Sequence, residues 1–248
     1  MNERFTLAVK TAKKSGDFLK EWFGRGEILS QSAYDVKLKQ DVESEKIVLG
    51  AIESKFPEDG YIAEEKGEKK GASGCVWIID PLDGTVNYYR GIPHCCVSIA
   101  CIKDNVGFGV VYDFFRDEMF TGKTGEGAFL NDKAITVSKN RELKDMVLSY
   151  GLMKGKEEIG EGLMILGKVA DKVKKIRTMG SAALDICYVA AGRTDLFLEV
   201  GLYIWDIAAG KIIVESAGGV YKEDKNDHRK IFIVSNGFMD MERLCQKP

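Results

Sequence analysis

The stretch Val76–Tyr89, "VWIIDPLDGTVNYY", decides how the chain is read. Val76–Ile79 is an apolar run suited to a buried strand, and straight after it come Asp80, Pro81, Asp83 and Gly84-Thr85. Asp, Pro and Gly are ordinary turn residues, so a turn is one reading. The other is a metal site whose backbone also holds a phosphate. In that reading Pro81 stops the strand, Gly84 lets the backbone approach a ligand, and Val86–Tyr89 opens a helix. A helix N-terminus offers free N–H groups and a positive dipole end to a phosphate. Thr85 reads equally as a plain N-cap.

Other acids repeat the pattern. Glu64 and Glu65 follow the short apolar run of "YIAEEKG", and Asp206 in "IWDIAAG" precedes an apolar helix. Each lies where a buried element meets a loop, so side chains from separate segments can converge. Hard cations such as Mg²⁺ take carboxylate and carbonyl oxygens and lean on substrate phosphate for the remainder. Asp80 and Asp83, three residues apart, repel unless a cation lies between them. Any one of these acids alone reads as a solvated turn residue or a cap, and Glu65, followed by "KGEKKG", is expected to be solvated.

The familiar phosphate loops are excluded. "TGKTGEGAFLN" has neither Walker A nor G-x-G-x-x-G spacing and sits between strands, so Gly125 and Gly127 read as hairpin glycines. In "TMGSAALDICYVAAG" Gly180-Ser181 opens an apolar helix with the same two readings, a phosphate-facing helix start or, more plainly in isolation, a capped core helix. His94 is expected to be a satisfied interior histidine and His228 to lie in a charged loop, so no Ser-His-Asp arrangement is supported.

The bulk composition sets the frame. The chain has 248 residues, 45% hydrophobic and 30% charged, which describes a soluble globular protein with material for a core. Its formal net charge of −2 provides no basic field, so neither nucleic acid nor an anionic membrane is expected as a partner. No segment approaches the roughly 20 apolar residues that span a bilayer. The six cysteines form no C-x-x-C pair and read as buried free thiols, with the cytoplasm as the default location.

Helical spacing predicts helices over Arg4–Phe23 and Val42–Phe56. Short β-rich runs separated by Gly, Asn and Asp turns predict a mainly antiparallel sheet over residues 75–138. After "VSKNREL" strands and helices alternate: strands at Val147–Tyr150, Asp195–Glu199 and "KIFIVSN", helices at Glu157–Lys174, Ser181–Ala191 and Ile207–Ala217. The texture predicts an α/β protein with an α+β lobe over residues 1–138 and an α/β lobe over 139–248, the site lying between them.

Taken together, "DVKLKQD", "IAEE", "WIIDPLDGTVNY", "PHCCVSIA", "GVVYD", "GAFLN", "GSAALDICYVAAGRTDLFLE" and "WDIAAGKIIVESAGG" run in the order found in the inositol monophosphatase family, which the chain resembles along nearly its whole length. That family belongs to a larger group that includes the fructose-1,6-bisphosphatases. The resemblance implies a layered α-β-α-β-α sandwich, a homodimer, lithium sensitivity and two or three Mg²⁺ ions. It implies metal ligation by Glu64, Asp80, the Leu82 carbonyl, Asp83 and Asp206. Gly84 and Thr85 would hold the phosphate, and Thr85, paired with Asp41 and helped by Glu64, would orient the attacking water. Ala182, Glu199 and Asp206 match positions that contact polyol hydroxyls, and Arg177 matches a substrate-side arginine. Inositol 1-phosphate is the implied substrate, with fructose 1,6-bisphosphate, histidinol phosphate and nucleotide phosphates as relatives' alternatives.

Three positions depart from the family pattern. Leu38 stands where D-x-x-T-x-x-D has threonine, Ser30 stands where a lysine is usual, and Val86 replaces a threonine after D-G-T. Two rival readings remain. Dehalogenase-like phosphatases carry apolar-D-x-D-G-T, but their aspartates are closer together than Asp80 and Asp83, and the first is a nucleophile. A regulatory or binding protein on the same fold is the other, against which stands the presence of Glu64, Asp80, Asp83, Thr85 and Asp206 together.

Overall fold

The computed structural model describes residues 1–32, 36–152, 156–226 and 229–238; Asp35, His228 and Cys245, all part of the sequence reading, lie outside the described residues. The chain opens with helix α1 (Asn2–Trp22), which buries Ala8, Ala12, Ser15 and Leu19, a stripe at helical spacing. A small antiparallel hairpin, β1 (Ile28–Gln31) and β2 (Val36–Leu38), leads into α2 (Lys39–Lys55). Then come β3 (Gly60–Ala63), β4 (Gly67–Lys69), β5 (Val76–Asp83), the short α3 (Thr85–Tyr89), β6 (Cys96–Lys103), β7 (Val106–Asp113), β8 (Glu118–Lys123), β9 (Gly127–Leu130) and β10 (Lys133–Ile135).

These strands form an eight-stranded sheet in the order β10-β9-β8-β7-β6-β5-β3-β4. Every pairing in it is antiparallel except β3 with β5. Gly125 and Gly127 take positive φ between β8 and β9, as hairpin glycines do. The second half supplies β11 (Val147–Tyr150), α4 (Lys156–Val169), β12 (Lys175–Arg177), α5 (Ala182–Ala190), β13 (Leu196–Val200), α6 (Ile204–Ser216), β14 (Val220–Asn226) and β15 (Arg229–Ser235). Its five-stranded sheet runs β12-β11-β13-β15-β14, with β11 parallel to both β12 and β13 and β15 antiparallel to β13 and β14.

Five layers result. Leu19, Val48, Leu49 and Ile52 of α1 and α2 pack with Trp77, Ile79 and Phe108 on one face of the large sheet. Ile78, Val111 and Phe120 on its other face share a core with Ile186 of α5, Ile207 and Ile213 of α6, and Phe197 and Phe232 of the smaller sheet. Ile165 and Val169 of α4 cover that sheet's far side with Leu148, Leu198 and Ile231. Because β5 is buried on both faces, its residues read as a continuous apolar run rather than an alternation. The α-β-α-β-α order agrees with the expectation. The central helices approach the large sheet closely: a Cβ at Gly109 would lie 2.3 Å from the Ala209 carbonyl oxygen.

Several details differ from the sequence reading. Pro81 does not stop β5, which continues through it to Asp83. The register against β6 slips by one residue between Asp80 and Asp83, and a proline, having no N–H to donate, is tolerated in such a bulge. The helix expected over Glu157–Lys174 ends at Val169, and β12 follows where no strand was expected. Strand β14 was also missed; its polar sequence gives no apolar signal. Among the described residues no helix is long and apolar enough to cross a membrane.

Candidate active site

The bulge in β5 shapes the site. Asp80 is 2% exposed, and its Oδ1 accepts the Leu82 backbone N–H at 3.0 Å, closing a turn around Pro81. The extra residue brings Asp83 to the strand end, where its Oδ2 accepts the Ser181 hydroxyl at 2.6 Å and the Ala183 N–H at 2.8 Å. Gly84 then turns the chain with φ +90°, in the left-handed region that favours glycine. A Cβ there would sit 3.0 Å from the His94 carbonyl oxygen and 3.2 Å from that of Gly180, so both conformation and space call for glycine. Helix α3 begins at once with Thr85, whose Oγ1 donates to the Leu82 carbonyl at 3.0 Å.

Asp206 arrives from the other side of the central layer. It is the third residue of α6, and its Oδ2 accepts the Tyr203 N–H at 2.6 Å, as a carboxylate at this position of a capping box does. One carboxylate oxygen from each of Asp80, Asp83 and Asp206 lies within 4.8 Å of the other two. Glu64, just beyond β3, lines the same cleft, its backbone N–H bonded to the Ile79 carbonyl of β5. Burial pushes the Asp80 carboxyl well above the usual range, and the charges of Glu64, Asp83 and Asp206 push it further. Burial raises Asp83 as well, against the hydrogen bonds from Ser181 and Ala183.

Among the described residues the cleft, a cavity of 430 Å³, is lined by no Lys, Arg or His. Three carboxylate oxygens around a common point, two of them from buried aspartates, fit a hard divalent cation by the chemistry of the donor set.

The family model for the inositol monophosphatase family matches residues 1–237. The chain belongs to that family. The Nus factor SuhB of Pasteurella multocida is 38% identical over 234 residues, covering 92% of this chain and 88% of the relative. The solved structure of the extragenic suppressor protein suhB from Bartonella henselae superposes with a TM-score of 0.92 at 36% identity, covering 99% of each chain. The Thermotoga maritima IMPase gives a TM-score of 0.86 at 34% identity, covering 98% of this chain and 95% of that one.

Most of the site residues expected of a member of the inositol monophosphatase family meet at this cleft. Glu64, Asp80, Leu82, Asp83, Gly84, Thr85, Ala182, Glu199 and Asp206 all line one cleft. Glu199 reaches it from β13, seated so closely on Gly151 that a Cβ there would fall 1.8 Å from its Oε2. Asp41 is 2% exposed and is not part of the lining; its Oδ2 accepts the Leu38 N–H at 2.6 Å at the start of α2. Arg177 is exposed on β12, donates to the neighbouring Ile176 carbonyl at 2.9 Å, and is likewise not in the lining.

Glu65 differs from its expectation. Its side chain is 9% exposed and forms an ion pair with Lys37, tying β2 to the turn that carries Glu64. The Glu45 carboxylate of α2 holds the same turn by accepting the Glu65 N–H at 2.8 Å. His94 is buried, with Nε2 3.3 Å from Asp185 Oδ1, in line with an interior role. The five described cysteines are all buried free thiols.

The sequence reading missed Asn87, Glu158, Thr178 and Tyr203, which also line the cleft. Asn87 stood inside the decisive stretch. Its Nδ2 donates to the His94 carbonyl at 2.8 Å and the Met179 carbonyl at 2.7 Å, fastening α3 to the segment ahead of α5. The other three carry no local signal, since only the packing of separate elements brings them to the cleft.

Proposed function

We propose that the chain is a Mg²⁺-dependent phosphomonoesterase that hydrolyses inositol 1-phosphate to inositol and phosphate. The observation that carries this reading is the convergence of Asp80, Asp83 and Asp206 within 4.8 Å at a cleft where Gly84-Thr85 opens a helix. Glu64, Asp80, the Leu82 carbonyl, Asp83 and Asp206 would hold the cations, two or three in number. Bound there, divalent cations supply an activated water and neutralise charge on phosphate and leaving oxygen.

The remaining roles fall to the chain itself. The backbone at Gly84 and Thr85 receives phosphate oxygens, a task suited to exposed N–H groups. Glu64 and Thr85 orient the water, a task in which Asp41 would assist Thr85. Ala182, Glu199 and Asp206 receive the polyol, the carboxylates as acceptors for its hydroxyls. The test is phosphate release from inositol 1-phosphate, fructose 1,6-bisphosphate, histidinol phosphate and a nucleotide monophosphate, with Mg²⁺ and with excess chelator. Activity greatest on inositol 1-phosphate and lost with chelator is expected; undiminished hydrolysis in chelator refutes the proposal.

One observation favours a second reading, that of a regulatory protein: a relative matching 92% of the chain bears the name Nus factor. The net charge of −2 gives no general attraction for nucleic acid, so such a role would run through a specific partner. Folded, Mg²⁺-replete protein with no turnover on any of the four substrates would favour this reading.

A further inference from the structure

A chain of buried hydroxyls runs from the first helix to the wall of the cleft. Ser15 of α1 and Ser44 of α2 are both 0% exposed. The Ser44 hydroxyl donates to the Pro81 carbonyl at 2.7 Å, so its proton is committed there. The 2.6 Å contact between the two serine oxygens is therefore a bond donated by Ser15 to Ser44 Oγ.

The Pro81 carbonyl and the Leu82 N–H belong to one planar peptide unit. Ser44 holds the carbonyl side of that plane, while the N–H side donates to Asp80 Oδ1 at 3.0 Å. Turning the plane would break both bonds together, so its orientation fixes the Asp80 carboxylate and leaves Oδ2 for the cleft. We propose that Ser44 is a positioning residue for the cation centre, aligning Asp80 through the Pro81–Leu82 peptide with Ser15 as its support. The inference rests on Asp80 being a cation ligand.

The residue type argues for this role. Ser44 sits inside α2 on the face that buries Val48, Leu49 and Ile52, where an aliphatic side chain would favour both helix and core. A serine hydroxyl buried there has a use only through its hydrogen bonds. The bonds it makes end on the backbone of the bulge, between two candidate ligands.

The test is calorimetric titration of Mg²⁺ into the full-length chain, alongside melting temperature in chelator. Ser44→Ala is expected to weaken Mg²⁺ binding by about ten-fold, the low end of the range for removing a direct partner of a ligating group, because Ser44 acts on Asp80 through one intervening peptide. Ser44→Thr, which keeps the hydroxyl, is expected to restore most of that affinity. A lowered melting temperature with wild-type Mg²⁺ affinity in Ser44→Ala overturns the proposal, because a purely structural serine would behave that way. Should Ser44→Ala not fold, Ser15→Ala leaves the bond to Pro81 in place but removes its support. A several-fold weakening is then expected, and unchanged affinity counts against the proposal. If the wild-type chain binds no Mg²⁺, the reading of Asp80 falls and this inference with it. That result is distinct from a wild type that binds beside a variant that binds equally.

Discussion

Ser181 donates its hydroxyl to Asp83 Oδ2 at 2.6 Å, joining the end of β5 to the start of α5. The Ala183 N–H reaches the same oxygen at 2.8 Å, so Oδ2 is committed to the protein and Oδ1 remains for the cleft. One carboxylate thus serves both as a candidate ligand and as a fastener between the large sheet and the central helices.

Asp83→Asn separates these two duties. The amide keeps an oxygen that accepts from Ser181 and Ala183 but loses the negative charge. Phosphate release is expected to fall by at least about a hundred-fold with circular dichroism unchanged, since disturbing ligand partners alone costs ~10–100-fold. Activity within a few-fold of wild type would remove Asp83 from the centre.

Asn87→Ala releases the carbonyls of His94 and Met179 from their shared donor. Both bonds are part-buried, and losing each costs about 0.5–1.5 kcal/mol. The melting temperature is expected to drop. Inhibition by inorganic phosphate should also weaken, because the start of α3 is no longer held against the segment before α5. Unchanged phosphate inhibition beside a lower melting temperature would confine Asn87 to stability.

Asp59 sets part of the acid stability. Its carboxylate accepts the Arg4 fork at 2.7 and 2.8 Å, the Ser73 hydroxyl at 2.6 Å and the Trp77 indole N–H at 2.9 Å. Burial alone would push the carboxyl up, but these bonds outweigh it and hold it below its ordinary value. A lowered folded-state pKa stabilises the protein above the unfolded value of about 3.9 and is lost as pH falls through the folded one. Asp59→Asn should therefore cost roughly 1.5–3 kcal/mol at neutral pH, chiefly through the lost charge-assisted bonds from Arg4, and flatten the acid limb of the stability curve. Denaturant midpoints measured from pH 7 down to pH 2 check this, and parallel curves for the two proteins would contradict it.

Much of the fold was legible because its strongest elements carry periodic or continuous apolar patterns, as α1 and β5 do. What stayed hidden has physical causes. Strand β14 is polar along most of its length, and Pro81 looked like a strand end because a one-residue slip in pairing with β6 leaves no mark in the sequence. In the site, Asp80, Asp83, Gly84 and Thr85 were readable as a contiguous motif. Tyr203 and Glu158 were not, since their place in the cleft depends on how α6 and α4 dock. Glu65 was misread because a charged flank resembles solvated loop, whereas Lys37, 28 positions earlier, gives it a partner.

The central claim is that Asp80 and Asp83 hold a cation and that water attacks phosphorus directly. The measurement that tests it most directly is hydrolysis, in ¹⁷O-water, of inositol 1-phosphorothioate carrying ¹⁶O and ¹⁸O in known configuration at phosphorus, followed by determination of the configuration of the released thiophosphate. Direct attack by water is one in-line displacement and inverts the configuration. Retention would mean two displacements, through an acyl phosphate on the Asp80 or Asp83 carboxylate, and the cleft would belong to a covalent phosphatase.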